Sequence, residues 1–391
     1  DILCLYYVIS EETKKISVEK IRKRLSESLA YYMIPQVIIA LEKIPLNPSG
    51  KVDYENLPEF NVAHKKGTSP VSYIEKMIAS IWKEKLNLSE VYCEDNFFSL
   101  GGNSLIAVDV FQSLSDKLKI NIELSLLLTA ESLSELAIKI ESKQQNNQKK
   151  ISNIVTINEK DHKKVFIFFH AVGGNILNYR PFFDTLRQFT VYGLEASVQE
   201  DKLRSPTSLS ELAADYTHQI RQLKLENKEL YLVGGSFGGL LAYECAQRLK
   251  EVDFNVKQII MFDTAVPGLV KSKFLSHFPL LKNLRFRFYS SLMFFHRVLK
   301  AKVSYDLRYT YLMYFFYKIG QAYRPCPSSV PLYLLRGKLG KSGKYSFEYL
   351  GWNQYLSESF ISVDYIDASH DEFIEHDLVV KKFSDWVGQI E

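Results

Sequence analysis

The sequence predicts a multidomain chain: a small α+β piece, a four-helix bundle, and an α/β domain with a helical lid. Three observations carry this. Beyond residue 151, short apolar runs alternate with helix-periodic stretches, the pattern of a parallel sheet with crossovers. Between 70 and 143 the apolar residues recur at helical spacing instead. Two polar stretches, NVAHKKGTSP (61–70) and SKQQNNQKK (142–150), carry few apolar anchors and read as tethers. They divide the chain into pieces at 1–60, 70–143 and 151–391.

Composition narrows the function class. The 391 residues suffice for two or three cores, and 46% hydrophobic with 24% charged residues is the balance of a globular chain. A net charge of +4 is too small to argue for a nucleic-acid partner. Four cysteines, Cys4, Cys93, Cys245 and Cys326, show no paired spacing. That fits a reducing compartment and gives neither a disulfide frame nor a metal site. The N-terminus lacks a basic-then-apolar signal pattern, and no apolar run reaches the ~20 residues needed to span a bilayer. A cytoplasmic protein without a membrane span is expected.

The first piece alternates strand and helix. DILCLYYVIS and QVIIALEKIP read as strands around the helix SVEKIRKRLSESLAYYM, followed by the turn-rich LNPSGKVDYENLP. So short a piece is marginal as an independent core. YYMIP (31–35), IPLNPSGKVDYENLP (44–58) and the strand between them resemble the end of the C-terminal subdomain of adenylation domains from nonribosomal peptide synthetases. The resemblance implies that Lys51 descends from a lysine contacting the acyl substrate and the adenylate. Ser49 and Tyr54 depart from the family pattern. The large N-terminal subdomain is missing, so no activity of this piece by itself is expected. The opening in mid-domain reads as a fragment of a longer synthetase.

The middle piece begins with an amphipathic helix whose stripe is Ile74, Met77, Ile78, Ile81 and Trp82. After a loop, Gly101 and Gly102 form a turn and Ser104 opens a helix with Leu105, Val108 and Phe111 on its inner face. Two short helical patterns follow, ELSLLLTA and ESLSELAIKI. DNFFSLGGNSL (95–105) resembles the carrier-protein motif at nearly every position, Asn103 being the departure next to the serine. The resemblance implies 4′-phosphopantetheine attached covalently to Ser104 by a phosphopantetheinyl transferase. A phosphodiester suits a helix N-terminus, where main-chain N–H groups and the dipole favour an anion. Between 70 and 142, eleven Asp/Glu face six Lys/Arg. That excess is either a docking surface for partner enzymes or a solvated helix face.

In the last piece, strands are read at 164–170, 190–195, 229–234, 258–263, 330–337 and 360–367. Sites in open sheets gather at the carboxyl ends of strands. Those ends carry His170-Ala-Val-Gly-Gly174, Ser236, Asp263 and His370. Gly-Gly-Ser-Phe-Gly (234–238), between the strand KELYLV and the helix FGGLLAYECAQRLK, is the G-x-S-x-G nucleophile elbow. Gly234 and Gly238 remove the Cβ atoms that would clash in such a turn. A hydroxyl needs a base, and the base needs a group to hold its tautomer. The α/β-hydrolase order of serine, acid, histidine points to Ser236, Asp263 and His370. Asp367 is a rival acid and His376, within a helix pattern, a rival base; His277 and His296 fall in the lid. The oxyanion donors expected are the N–H groups of Phe237 and of Val172 in HAVGG, with His170 a structural residue of that loop.

Residues 265–322 break the strand–helix rhythm. They are rich in aromatics, including Phe286, Phe288, Phe294, Phe295, Tyr314, Phe315 and Phe316, and hold ten basic residues against one acid, Asp306. A helical lid is expected, its aromatics lining an acyl pocket or simply filling its own core.

HAVGG, GGSFGG, FDTAVP and the SHDEF around His370 make residues 164–391 resemble the type I thioesterases that terminate nonribosomal peptide and polyketide synthetases. The resemblance implies transfer of an acyl or peptidyl chain from the phosphopantetheine thiol to Ser236, then release by hydrolysis or macrocyclisation. It also implies upstream partners, an adenylation core and a condensation domain. Two alternatives stay open: a proofreading thioesterase, and a non-catalytic carrier or docking segment with a degenerate hydrolase fold.

Overall fold

The computed structural model describes residues 4–8, 21, 24–25, 35, 37–58, 67–118, 122, 124–145, 153–196, 208–268, 305–338, 348–370 and 373–390. The chain divides into two compact units, Asp1–Asn147 with Glu375–Lys381, and Gln148–Ile374 with Lys382–Glu391.

In the first unit, strands β1 (Cys4–Val8) and β2 (Val37–Leu41) pair in parallel, Cys4 opposite Val37 and Val8 opposite Leu41. Parallel neighbours require a crossover connection; most of the helix expected there lies outside the described residues. Beyond β2 the chain doubles back, with Leu46 bridged to Val52. The turn closes on Asn47, whose Oδ1 accepts the N–H groups of Ser49 at 3.1 Å and Lys51 at 3.0 Å. Gly50 takes the left-handed φ of 80° that this reversal needs.

Four helices follow: α1 (Tyr73–Leu86), α2 (Ser104–Leu118), α3 (Leu126–Thr129) and α4 (Leu133–Gln145). A capping box starts α1. The Ser72 hydroxyl accepts Glu75 N–H at 3.1 Å and the Glu75 carboxylate accepts Ser72 N–H at 2.9 Å. Asn87 ends it in the left-handed conformation. Ile74, Ile78, Ile81 and Trp82 are buried as their spacing predicts, with Trp82 5.4 Å from the Phe97 ring; Met77 is only partly buried. On α2 Phe111 is buried as expected, and the side chain of Leu105 lies outside the described residues. Ala107, Val110, Phe111 and Leu114 are buried while Val108 is half-buried. Ala107 is small, and a pattern of large apolar residues passes over it.

The second unit is a seven-stranded sheet in the order β3-β5-β4-β6-β7-β8-β9. Its strands are β3 (Ile154–Asn158), β4 (Lys164–Phe169), β5 (Thr190–Leu194), β6 (Glu229–Gly235), β7 (Val256–Phe262), β8 (Leu332–Gly337) and β9 (Ile361–Ile366). All neighbours run parallel except β3, which pairs antiparallel with β5. The sequence reading has no strand at β3. It is a short edge strand with no fully buried residue, so IVTIN carries a weak signal.

Helices α5 (Leu209–Arg221) and α6 (Phe237–Lys250) cover one face, where Leu212, Tyr216, Leu241 and Cys245 join Val165, Ile167 and Phe169 of β4. On the other face Phe166 and Phe168 lie 6.4 and 6.5 Å from Phe383 of α8 (Asp377–Ile390). Both faces are dry, so the central strands read as unbroken apolar runs. Of the expected lid, helix α7 (Tyr305–Ala322) and residues 265–268 are described; 269–304, with His277 and His296, lie outside the described residues.

Candidate active site

Register brings the first two candidates together. Gly235, the last residue of β6, lies opposite Phe262, the last of β7. The next residues are Ser236 and Asp263, so both leave the sheet at adjoining strand ends. Ser236 N–H donates to Phe262 O at 3.2 Å. Its backbone, at φ 51° and ψ −115°, is outside the ordinary regions for an L-residue. The turn is tight enough to exclude side chains on either side. A Cβ on Gly234 would lie 2.2 Å from Gly238 O, and one on Gly238 would lie 2.4 Å from Phe169 O.

Asp263 is buried, with φ 44°. Its Oδ1 accepts Gly337 N–H from β8 at 3.0 Å, and its Oδ2 lies 2.7 Å from His370 Nδ1. An ionised carboxylate only accepts, so Nδ1 carries the proton and the neutral ring presents Nε2 as a base. His370 lies just past β9, on the segment whose Ile374 packs against the elbow. A Cβ on Gly235 would lie 2.6 Å from Ile374 Cδ1.

The rivals stand elsewhere. Asp367 is 66% exposed and pairs with Lys338 at 3.7 Å. Helix α8 begins at Asp377, so His376 precedes the helix rather than lying within it. Its carbonyl accepts Val379 N–H at 2.9 Å and its Nδ1 accepts Leu378 N–H at 3.3 Å. Both bonds belong to the helix start.

The two proposed oxyanion donors come from segments in direct contact. The approach of Gly238 to Phe169 and His170 sets the start of α6 against the end of β4. The Val172 loop closes with Gly174 N–H donating to Ala171 O at 3.0 Å, and Ala196 N–H donates to Gly174 O at 2.8 Å. His170 is fully buried, and burial pushes its ring down to about 4, so it stays neutral near pH 7. Helix α7 borders this corner: Phe316 packs on His170 at 4.9 Å and on Phe237 at 5.1 Å.

One residue of the site escapes sequence reasoning. The Tyr179 hydroxyl accepts Gly235 N–H at 2.8 Å and donates to Phe169 O at 3.0 Å. It bridges the ends of β4 and β6 just where the ladder between them stops, the last registered pair being Phe169 and Gly234. Burial raises its hydroxyl well above the usual tyrosine range, so it stays protonated. Nothing in NYRPFF signals this; a periodic pattern marks Tyr179 only as apolar.

In the first unit, Asn103 anchors the start of α2. Its Oδ1 accepts Ile106 N–H at 2.9 Å and its carbonyl accepts Ala107 N–H at 2.8 Å. Ser104 is therefore the first helical residue. The loop before it is wound tightly: Asn96 Oδ1 accepts Phe98 N–H at 3.0 Å and Ser99 N–H at 3.2 Å, and a Cβ on Gly102 would lie 2.4 Å from the Phe97 ring. A fixed turn opening into a 15-residue helix fits a phosphodiester attached at its first residue. Lys51 sits exposed on its hairpin, its N–H bound by Asn47.

The fold agrees with comparisons to known proteins. Residues 163–386 match the thioesterase domain family, and residues 77–140 match the phosphopantetheine attachment site. The chain belongs to the thioesterase family. The thioesterase is similar to malpibaldin synthetase of Mortierella alpina, 30% identical over 262 residues, 66% of this chain and 5% of that protein. It is 28% identical to a dimodular nonribosomal peptide synthase of Bacillus subtilis (strain 168) over 263 residues, 67% of this chain and 11% of that one. Tyrocidine synthase 3 of Brevibacillus parabrevis is 27% identical over 265 residues, 67% of this chain and 4% of that one. The thioesterase chain thus spans a small part of these relatives. Among solved structures, a four-domain nonribosomal peptide synthetase with AMP and glycine bound superposes with a TM-score of 0.52 at 21% identity. That match covers 98% of this chain and 31% of the other and concerns the fold. The phosphopantetheine attachment segment makes 4′-phosphopantetheine the cofactor. Among the described residues of the thioesterase, no helix is long and apolar enough to cross a membrane.

Proposed function

We propose that this chain is a termination module of a cytoplasmic nonribosomal peptide synthetase. In this reading 1–60 is the tail of an adenylation domain carrying Lys51, 70–143 a four-helix peptidyl carrier, and 151–391 a thioesterase with a lid at 265–322. When bound at Ser104, the phosphopantetheine supplies a thiol on a long arm that holds acyl or peptidyl cargo as a thioester. A phosphopantetheinyl transferase would install it, and an adenylation core and a condensation domain would act upstream.

Ser236 Oγ attacks the cargo's carbonyl carbon while His370 Nε2 takes the hydroxyl proton. The charge developing on the carbonyl oxygen meets the N–H groups of Val172 and Phe237. As the C–S bond breaks, His370 returns the proton to sulfur and the acyl group remains as an ester on Ser236. Water or a nucleophile on the cargo then attacks that ester. His370 takes the incoming proton and passes it to Ser236 Oγ as the ester C–O bond breaks. Asp263 holds the ring's tautomer and offsets its transient charge. The observation carrying this reading is the 2.7 Å contact of His370 Nδ1 with Asp263 Oδ2 beside the strand end that carries Ser236.

The test is mass spectrometry of a chain loaded with an aminoacyl phosphopantetheine. Wild type should release the cargo, while Ser236→Ala should load at Ser104 and retain it. Release by Ser236→Ala at the wild-type rate would overturn the assignment.

A further inference from the structure

His170 is buried, yet both ring nitrogens are engaged. A carbonyl only accepts, so the contact of Nδ1 with Ala171 O at 2.7 Å places the ring proton on Nδ1. Nε2 is then an acceptor, and Tyr216 on α5 donates its hydroxyl to it at 2.7 Å. The same hydroxyl lies 3.3 Å from Glu195 O. Glu195 in turn holds the far side of the loop: its Oε1 accepts Ile176 N–H at 3.4 Å, and its carbonyl accepts Asn153 Nδ2 at 2.7 Å. The Ala171 carbonyl, which also accepts Gly174 N–H at 3.0 Å, therefore fixes the ring proton on Nδ1, and Tyr216 holds the opposite nitrogen.

The gripped carbonyl shares a peptide plane with the next amide. Ala171 C=O and Val172 N–H lie in one rigid unit and, in a trans peptide, point in opposite directions. Pulling the carbonyl toward the buried imidazole turns the N–H away from it. We infer that His170 and Tyr216 are positioning residues, which aim the Val172 N–H at the acyl oxygen by fixing the Ala171–Val172 peptide plane. Neither touches the cargo. The inference rests on the release mechanism proposed above.

The test uses the full chain with Tyr216→Phe, His170→Leu and His170→Asn. Tyr216→Phe keeps the ring and removes only the hydroxyl that holds Nε2. His170→Leu removes the grip; His170→Asn restores an N–H close to the Nδ1 position. Each variant is assayed for release of a soluble aminoacyl thioester and for binding of a trifluoromethyl ketone analogue, whose adduct with Ser236 carries a tetrahedral oxyanion. Tyr216→Phe and His170→Leu should lower kcat about tenfold or more while KM stays within about twofold. Affinity for the ketone should fall by the same factor as kcat/KM, and His170→Asn should recover part of both. A merely structural role would lower the melting temperature without this parallel loss. If kcat and ketone affinity of the folded variants match an active wild type, the inference fails alone. If wild type itself neither releases the thioester nor binds the ketone, the proposed mechanism fails with it.

Discussion

His370 and Asp263 meet across the boundary between solvent and core: the imidazole is 40% exposed and the carboxylate 1%, with 2.7 Å between Nδ1 and Oδ2. The acid is held from behind by Gly337 N–H and shielded from water, while the ring is partly exposed. Asp263→Asn removes the acceptor that fixes the proton on Nδ1. Release should slow by about 10²–10⁴-fold with loading at Ser104 intact. Asp367→Ala breaks only an exposed pair with Lys338 and should leave release unchanged. Single-turnover release assays on the two variants check both; the reverse ranking would make Asp367 the acid.

Tyr179 serves two buried backbone groups with one hydroxyl. Tyr179→Phe leaves Gly235 N–H and Phe169 O without it and should cost about 1–3 kcal/mol of stability. Thermal unfolding of the full chain measures this. Slower labelling of Ser236 by a fluorophosphonate would show that the elbow has shifted as well.

Two glycine substitutions should act in opposite directions. Gly238→Ala forces a Cβ to 2.4 Å from Phe169 O, a main-chain atom that cannot swing aside. Both stability and release should fall sharply. Gly388, in α8, has nothing within 4 Å of a built Cβ, so Gly388→Ala should stabilise by about 0.5–1 kcal/mol through helix propensity alone. Melting temperatures decide both.

The start of α1 should be acid-sensitive. Hydrogen bonds from Ser72 N–H first, then Ser134 Oγ and Val71 N–H, pull Glu75 down to about 2 from 4.5. A carboxyl lowered in the folded state stabilises it above its unfolded pKa, and that contribution is lost as pH falls toward the folded value. Protection of the amides at Glu75 and the following residues, measured against their intrinsic exchange at each pH, should therefore fall between about pH 4.5 and 2 in wild type. In Glu75→Gln, protection should already be lower at pH 6, and the step should be absent.

How much was legible follows from what each residue needed. The neighbourhood of Ser236, Asp263 and His370 is readable because a strand–turn–helix motif and a fixed chain order each leave few positions. The central strands are equally readable, since burial on both faces writes apolar runs into the sequence. β3 is not, because IVTIN is short and none of its five residues is fully buried. Nor is all of the inner face of α2: Phe111 is buried as expected, but so is a small Ala107 while a larger Val108 is partly exposed. Tyr179 and Tyr216 are the hardest. Each is apolar by pattern, and its hydroxyl gains a partner only when distant segments close around it.

The unusual backbone at Ser236 makes the reactive serine a thermodynamic burden on its own domain. An L-residue at φ 51° and ψ −115° costs on the order of 1–3 kcal/mol, and the side chain makes no capping hydrogen bond in return. Glycine relieves that torsion but gains freedom when unfolded. Ser236→Gly should therefore be inert toward thioesters yet survive heating better than the active protein, by about 0.5–2 kcal/mol. Selection for heat resistance alone would erode the very position on which turnover depends.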